Sequence, residues 1–251
     1  MKIILVGSSG RMGGMVASVA ASEGETIVAG VDTRPVPCPF PVYTDYRINE
    51  TADVLIDFSS VAGLSERLAY CVEHSLPAVL AATGYSEADE LLVKETAKKI
   101  PVFKTGNFSV GINLMELLVK EAAQILGDGF DAEIIERHHN QKKDAPSGTA
   151  LMLAKSVSEG FGKAETVVCG RKGFVGARTK AEIGIHAVRG GNIVGEHEVM
   201  FAGEDEIVTL SHSARSRKVF ASGALKAARW LIEQPAGLYD MHDFLKDCFR
   251  K

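Results

Sequence analysis

Between Glu133 and Ala150 the chain reads EIIERHHNQKKDAPSGTA. His138 and His139 are adjacent, Lys142, Lys143 and Asp144 follow, and Pro146-Ser147-Gly148-Thr149 opens an apolar run. Imidazole titrates near neutral pH, ammonium groups attract carboxylates, and the N–H groups at a helix start bind anions. Such a density of proton donors and cations suits a small anionic substrate. If 130–139 is a strand, Ile134, Glu136 and His138 share one face and His139 points to the other. Both histidines can reach one site only if the strand ends or bulges after His138, and Asn140-Gln141 predicts that it does. Lys142 then rides on the loop beyond. Arg137, Lys142 and Lys143 are expected to disfavour the imidazolium form of His138 until a dianion is bound.

Two plainer readings compete. Charged residues after a strand are usually a solvated loop. Here proline and glycine flank Ser147 where a helix begins, which predicts an N-cap with exposed donors instead. A metal site is the other alternative. Adjacent histidines are poor partners for one ion, and no third ligand stands at a usual spacing, so no metal is expected.

A second constellation lies at the N-terminus. Gly7-Ser8-Ser9-Gly10-Arg11-Met12-Gly13 sits where a strand at Lys2 to Val6 becomes a helix at Met12 to Ala21. The spacing is G-x-x-G-x-x-G rather than the common G-x-G-x-x-G, but the physics is the same. Glycine allows a tight turn and a close approach of pyrophosphate to the backbone, and the helix start supplies N–H donors. Asp32, ending a second strand at Ile27 to Val31, stands where an acid meets a ribose hydroxyl. An acid there favours NADH, since a carboxylate repels a 2′-phosphate, while Arg11 and Arg34 are available to pair with one. The sequence leaves the choice between NADH and NADPH open.

The elements that must carry these residues change character along the chain. Strand signals at 53–58, 78–82 and 101–103 alternate with helices at about 61–74 and 86–99, the latter opened by a Ser86-Asp89 capping box. Four prolines make 35–41 an irregular connection. Continuous apolar strands with helical crossovers predict a parallel sheet covered on both faces. After that come a helix at 111–126, a strand at 130–139, a helix at 147–159 and strands over 182–213. Gly190-Gly191-Asn192 and Gly203-Glu204-Asp205 are the expected hairpin turns. An amphipathic helix at 219–233 closes the pattern. The expected fold is α/β, a Rossmann-like parallel-sheet nucleotide domain plus an α+β domain with a mainly antiparallel sheet. The first domain is expected at 1–107, completed by 217–251, and the second at 108–216.

The 251 residues can bury a sizeable core, and a net charge of −4 leaves no basic footprint for nucleic acid. No apolar stretch is long enough to span a bilayer, and no signal-peptide pattern is present. Four scattered cysteines without a CxxC pair read as reduced thiols of a cytoplasmic protein. A non-catalytic redox sensor would need a basic DNA-reading face, and none is visible. Another reductase of the same fold class is excluded only by the 133–150 cluster.

That cluster, E-I-I-E-x-H-H-x-x-K-x-D-A-P-S-G-T-A, resembles the signature of the dihydrodipicolinate reductase (4-hydroxy-tetrahydrodipicolinate reductase) family. Gly7 to Gly13, Asp57-Phe58-Ser59, Asn107 to Gly111, Arg189 to His197 and Arg215-Ser216-Arg217 match further segments, so the resemblance covers nearly the whole chain. It implies reduction of 4-hydroxy-tetrahydrodipicolinate to tetrahydrodipicolinate with NADH or NADPH, on the diaminopimelate route to lysine. It implies His138 as proton donor or acceptor and Lys142 as proton donor. It implies His139, Gly148 and Thr149, with the Ser147 helix start, as the substrate carboxylate site. Gly7, Ser8, Ser9, Gly10, Arg11 and Met12 would meet the cofactor phosphates and Asp32 the ribose. Ala81, Ala82, Thr83, Thr105, Gly106, Asn107 and Phe108 would line the nicotinamide. A homotetramer joined through the second domain's sheet is also implied. Two positions depart from the family's habit: Ala81-Ala82 stands where Gly-Thr is frequent, and Thr33 rather than Arg follows Asp32.

Overall fold

The computed structural model describes residues 1–162, 164 and 166–249. The first run of elements is β1 (Lys2–Val6), α1 (Arg11–Ser22), β2 (Thr26–Val31), β3 (Val42–Tyr43), β4 (Val54–Asp57), α2 (Leu64–Glu73), β5 (Ala78–Leu80), α3 (Glu87–Ala97) and β6 (Pro101–Lys104). Then come α4 (Val110–Leu126), β7 (Asp131–His138), α5 (Gly148–Phe161), β8 (Thr166–Cys169), β9 (Glu182–Arg189), β10 (Gly195–Ala202) and β11 (Ile207–Ala214). The chain closes with α6 (Lys218–Leu231), β12 (Gly237–Tyr239) and α7 (Met241–Phe249). It folds into two compact units, Met1–Val110 with the segment from Arg217 onward, and Gly111–Ser216.

The first unit holds a seven-stranded parallel sheet in the order β3-β2-β1-β4-β5-β6-β12. Its central strands carry apolar runs, Ile3 to Val6 in β1 and Val54 to Ile56 in β4, because both faces are covered. Ile3, Leu5 and Ile56 face α1 and α6, while Ile4, Val6 and Leu55 face α2 and α3. The helix α6, far downstream, lies beside α1 and covers β4, β5 and β6. A parallel sheet needs both faces buried, and α6 supplies the cover that the local chain does not. The approach is close: a Cβ on Gly223 would stand 1.7 Å from the carbonyl oxygen of Phe108.

The second unit is a mixed five-stranded sheet in the order β11-β10-β7-β9-β8. β10 runs antiparallel to both its neighbours, and β9 runs parallel to β7 and to β8. One face is sealed by α4 and α5 through Met115, Val119, Leu153 and Val157 packed on Ile134, Ile185 and Phe201. The hairpin expected at Gly203-Glu204-Asp205 joins β10 to β11, where Ala202 pairs with Ile207. The one expected at Gly190-Gly191-Asn192 is corrected: β7 lies between β9 and β10, so this segment crosses over the end of β7. The Gly190 amide donates to the His138 carbonyl at 2.9 Å, and the Asn140 amide to the Gly191 carbonyl at 3.2 Å. The crossing carries its own backbone bonds to β7 and to the first residues after it. Among the described residues no helix is long and apolar enough to cross a membrane.

Gly223→Ala is expected to cost about 1–3 kcal/mol through overpacking against the Phe108 carbonyl. Gly14→Ala, inside α1 with open space around the new methyl, should be neutral or gain about 0.5–1 kcal/mol from helix propensity. Thermal melts of the two variants test the packing, and equal midpoints would contradict it.

Candidate active site

At the carboxyl edge of the parallel sheet, β1 leads into Gly7, whose φ of +76° favours glycine. A Cβ there would lie 2.9 Å from the backbone of Phe58 and Ser59. A Cβ on Gly13 would lie 2.2 Å from the Gly7 carbonyl oxygen, so the loop can fold back on α1 only without side chains at these points. The N-cap of α1 is Gly10, which has no side chain to occupy the first-turn amides of Arg11 and Met12. Asp32, just beyond β2, accepts from the Ser9 amide at 3.0 Å and from the Arg34 amide at 3.1 Å. The Ser9 hydroxyl accepts in turn from the Val36 amide at 3.2 Å. Ser8 is buried, with no partner for its hydroxyl among the described residues. Ala81, Ala82 and Thr83 follow β5, and Thr105, Gly106, Asn107 and Phe108 follow β6, on the same edge as Gly7 and Asp32. A glycine cradle, an uncapped helix start and an acid at the end of β2, at the point where the strand order reverses, are the features that fit a dinucleotide.

In the second unit β7 alternates strictly, which places Glu136 and His138 on the helix-covered face beside Ile134. The strand ends at His138, as the sequence predicts, and His139 lies half-buried just past it. The Lys142 amide donates to the His139 carbonyl at 3.1 Å, a tight turn that carries Lys142 back beside the strand end. Its ammonium group pairs with Asp144 at 2.9 Å. Ser147 caps α5, its hydroxyl accepting from the Ala150 amide at 3.2 Å, and the amides of Gly148 and Thr149 point out of the helix start.

Glu136 organises the group. Its carboxylate is fully buried and accepts from His138 Nδ1 at 2.6 Å and from the Ser147 amide at 3.0 Å. Arg189, at the end of β9, closes on both its oxygens at 2.7 and 2.8 Å and also donates to the Asp144 carbonyl at 2.7 Å. Burial raises a carboxyl pKa, but the bonds from Arg189, His138 and Ser147 hold Glu136 below the ordinary carboxylate range. A charged carboxylate can only accept here, so Nδ1 keeps its hydrogen and donates it to Glu136, which leaves Nε2 as the exchangeable nitrogen of His138. Burial lowers the His138 pKa, Glu136 opposes that, and Lys142 and Arg189 add to the lowering.

His197 on β10 completes the cluster. Its ring stands edge-on to His138 at 5.1 Å, and Nε2 lies 3.1 Å from the Ser147 hydroxyl. Its Nδ1 is buried with no partner among the described residues. Burial, then the neighbouring His138, pushes its pKa down to about 4, so the ring is neutral. A buried N–H without an acceptor costs more than a bare lone pair, which puts the proton on Nε2. Ser147 Oγ then accepts from both His197 and Ala150, and its own proton is available to an anion at the helix start.

Two expected cations fall elsewhere. Arg137 points to the opposite sheet face, 3.8 and 3.7 Å from Glu196 and Glu198, because strand alternation separates it from His138. Lys143 is exposed. Lys142 and Arg189 are the cations that act on His138. Glu136, Arg189 and His197 are the residues that sequence reasoning left without a role. The shared face of Glu136 and His138 was the available signal; the partners on β9 and β10 depend on strand order.

A family model described as "Dihydrodipicolinate reductase, N-terminus" matches residues 1–108, and one described as "Dihydrodipicolinate reductase, C-terminus" matches 111–245. The chain belongs to the dihydrodipicolinate reductase family. A 4-hydroxy-tetrahydrodipicolinate reductase of Caldanaerobacter subterraneus subsp. tengcongensis is 49% identical over 248 residues, covering 98% of each chain. One of Clostridium tetani is 45% identical, covering 96% of this chain and 95% of the relative. The solved structure of a dipicolinate-bound dihydrodipicolinate reductase from Paenisporosarcina sp. TG-14 superposes with a TM-score of 0.81 at 25% identity, over 96% of this chain and 97% of that one. As a dihydrodipicolinate reductase the chain is an NAD(P)H-dependent oxidoreductase of the diaminopimelate route to lysine. It reduces 4-hydroxy-tetrahydrodipicolinate to tetrahydrodipicolinate.

Neutral His197 gives the reductase a pH-sensitive stability. Between its ordinary pKa of 6.5 and its folded value of about 4, the unfolded chain binds a proton that the native state refuses. This contribution is complete above the upper value and is lost as pH falls through the window. The melting midpoint should fall on acidification there, and His197→Gln should flatten the dependence. An unchanged slope in the variant would contradict the assignment.

Proposed function

We propose that His138 and Lys142 deliver the proton of the reduction, and that His139, Ser147, Gly148 and Thr149 hold a substrate carboxylate. In this reading residues 1–107 with 217–251 bind the dinucleotide and residues 108–216 bind the substrate. Gly7 to Met12 would hold the phosphates, Asp32 the ribose, and Ala81 to Thr83 with Thr105 to Phe108 the nicotinamide. Either NADH or NADPH can serve: Asp32 is set toward an unmodified ribose, while Arg11 and Arg34 are exposed and able to meet a 2′-phosphate.

Replacing the 4-hydroxyl of the substrate by hydrogen consumes one hydride and one proton and releases one water. The dihydronicotinamide, when bound, supplies the hydride. The proton must come from a positioned acid. His138 Nε2 and Lys142 Nζ flank the strand end, and the α5 start lies beside them through Ser147 and Glu136. The observation that carries the reading is that an imidazole and a capped helix start meet on one buried carboxylate, Glu136, while the Lys142 ammonium sits on the adjoining loop against Asp144. A dianion bound there favours the imidazolium form of His138, which burial, Lys142 and Arg189 by themselves disfavour. Charged hydrogen bonds of the kind Gly148 and Thr149 would make contribute roughly 1.5–3 kcal/mol each. The dipicolinate held by the related Paenisporosarcina enzyme is a dicarboxylate of the expected kind.

The same reading includes a homotetramer in the cytoplasm. The sheet face of the second unit that turns away from α4 and α5 carries exposed Val188 and Ile207, which supports association through it. Light scattering on the purified protein measures the subunit number.

His138→Ala and Lys142→Ala should each lower kcat by about 10²–10⁴-fold, the usual worth of a positioned acid, with dinucleotide affinity within twofold of the parent. Steady-state reduction of the synthase product, with dinucleotide titration by fluorescence, measures both. Loss of dinucleotide binding in both variants, or full turnover in either, would overturn the assignment.

A further inference from the structure

We propose that Arg189 and Glu136 are positioning residues that lock His138 and Lys142 into one arrangement and set the protonation of the imidazole. The inference rests on the reading of His138 and Lys142 as the proton-bearing pair. It adds two residues to which nothing so far gives a part in the reaction.

An unbroken series of polar contacts joins the pair. Lys142 Nζ meets the Asp144 carboxylate at 2.9 Å, and the Asp144 carbonyl accepts from Arg189 Nη2 at 2.7 Å. Arg189 holds both oxygens of Glu136, and Glu136 accepts from His138 Nδ1 at 2.6 Å. One guanidinium, at the end of β9, therefore ties the end of β7 to the loop that carries Lys142. The planar fork of arginine is required, because a lysine ammonium cannot span two carboxylate oxygens and a carbonyl in this fixed geometry. The loop itself has few other anchors. They are the Asn140 amide on the Gly191 carbonyl, the Lys142 amide on the His139 carbonyl, and Ser147, through its amide on Glu136 and its hydroxyl on His197.

The same pair fixes the charge on the imidazole. The charged and titratable groups around His138 are Glu136 on its own strand, Arg189 on β9, Lys142 and Asp144 on the loop, and His197 on β10. Glu136 favours the imidazolium, and Arg189 opposes it by neutralising Glu136. The two residues therefore act on His138 with opposite sign. A purely structural role in holding the sheet would not give two signs. The exposed end of the imidazole is kept open in its turn: a Cβ on Gly195 would stand 3.2 Å from Nε2.

The test is nitrogen-15 NMR titration of His138 in the ligand-free full chain, with kcat measured in parallel. Arg189→Gln should raise the His138 pKa, and Glu136→Gln should lower it. Arg189→Lys, which keeps the charge and loses the fork, should leave the pKa near the parent value while kcat falls roughly tenfold or more, as displacement of a reacting group does. It is also the conservative variant that stays folded if the glutamine variants do not. Dinucleotide affinity should be unchanged throughout. Shifts of the same sign in the two glutamine variants, no shift in either, or full kcat in Arg189→Lys would overturn the proposal. His138→Ala run alongside separates the two failures. Full turnover there removes the reading of the site and this inference with it. A large loss there, with Arg189→Lys fully active, removes the inference alone.

Discussion

The site depends on a carboxylate that has no access to solvent and yet stays charged. Glu136 is fully buried on the helix-covered face of β7. Isolated burial of this kind would neutralise it. Four donors keep it ionised: His138 Nδ1, the Ser147 amide and two nitrogens of Arg189. Removing one member of such a pair typically costs roughly 3–5 kcal/mol, because the remaining charge is stranded. The four donors come from β7, β9 and the cap of α5, so strand register, loop path and helix start are all specified by one carboxylate.

Each unit presents a helix start, whose amides attract negative charge, and each prepares it differently. At α1 the cap is Gly10, and the absence of a side chain leaves the first-turn amides to an incoming anion. Glycines at 7 and 13 let the loop fold back closely enough for that, and Asp32 pins the loop through the Ser9 amide. At α5 the cap is Ser147, itself held by His197 and by Glu136 through its amide. The first design suits a phosphate, which needs backbone donors and little else. The second suits a carboxylate on a reacting ring, where the donors must also be fixed relative to a proton source.

Much of this was legible in the sequence because it is local. The apolar runs of β1, β2 and β4, the Ser86-Asp89 capping box, the end of β7 at His138 and the Ser147 cap all follow from residue type and spacing over a few positions. The return of the C-terminal helix follows from a sheet that needs two covered faces. What was missed is non-local. The strand β9 pairs with β7 rather than with β10, so Gly190-Gly191-Asn192 is a crossing and not a hairpin, and no local pattern distinguishes the two. Arg189 gains its partners only through that pairing, and His197 through the antiparallel register that sets it opposite Glu136. The short strands β8 and β12 carry too few residues for a periodic signal, and α7 follows β12 without a pattern that stands apart from it.

The charge arrangement around His138 favours a neutral imidazole, and a dicarboxylate bound beside it favours the imidazolium. Calorimetry of dipicolinate binding near neutral pH, repeated in buffers of different ionisation enthalpy, counts the protons exchanged. The account predicts uptake approaching one proton per site, abolished in His138→Ala. Binding with no net proton uptake, or uptake unchanged in that variant, would contradict it.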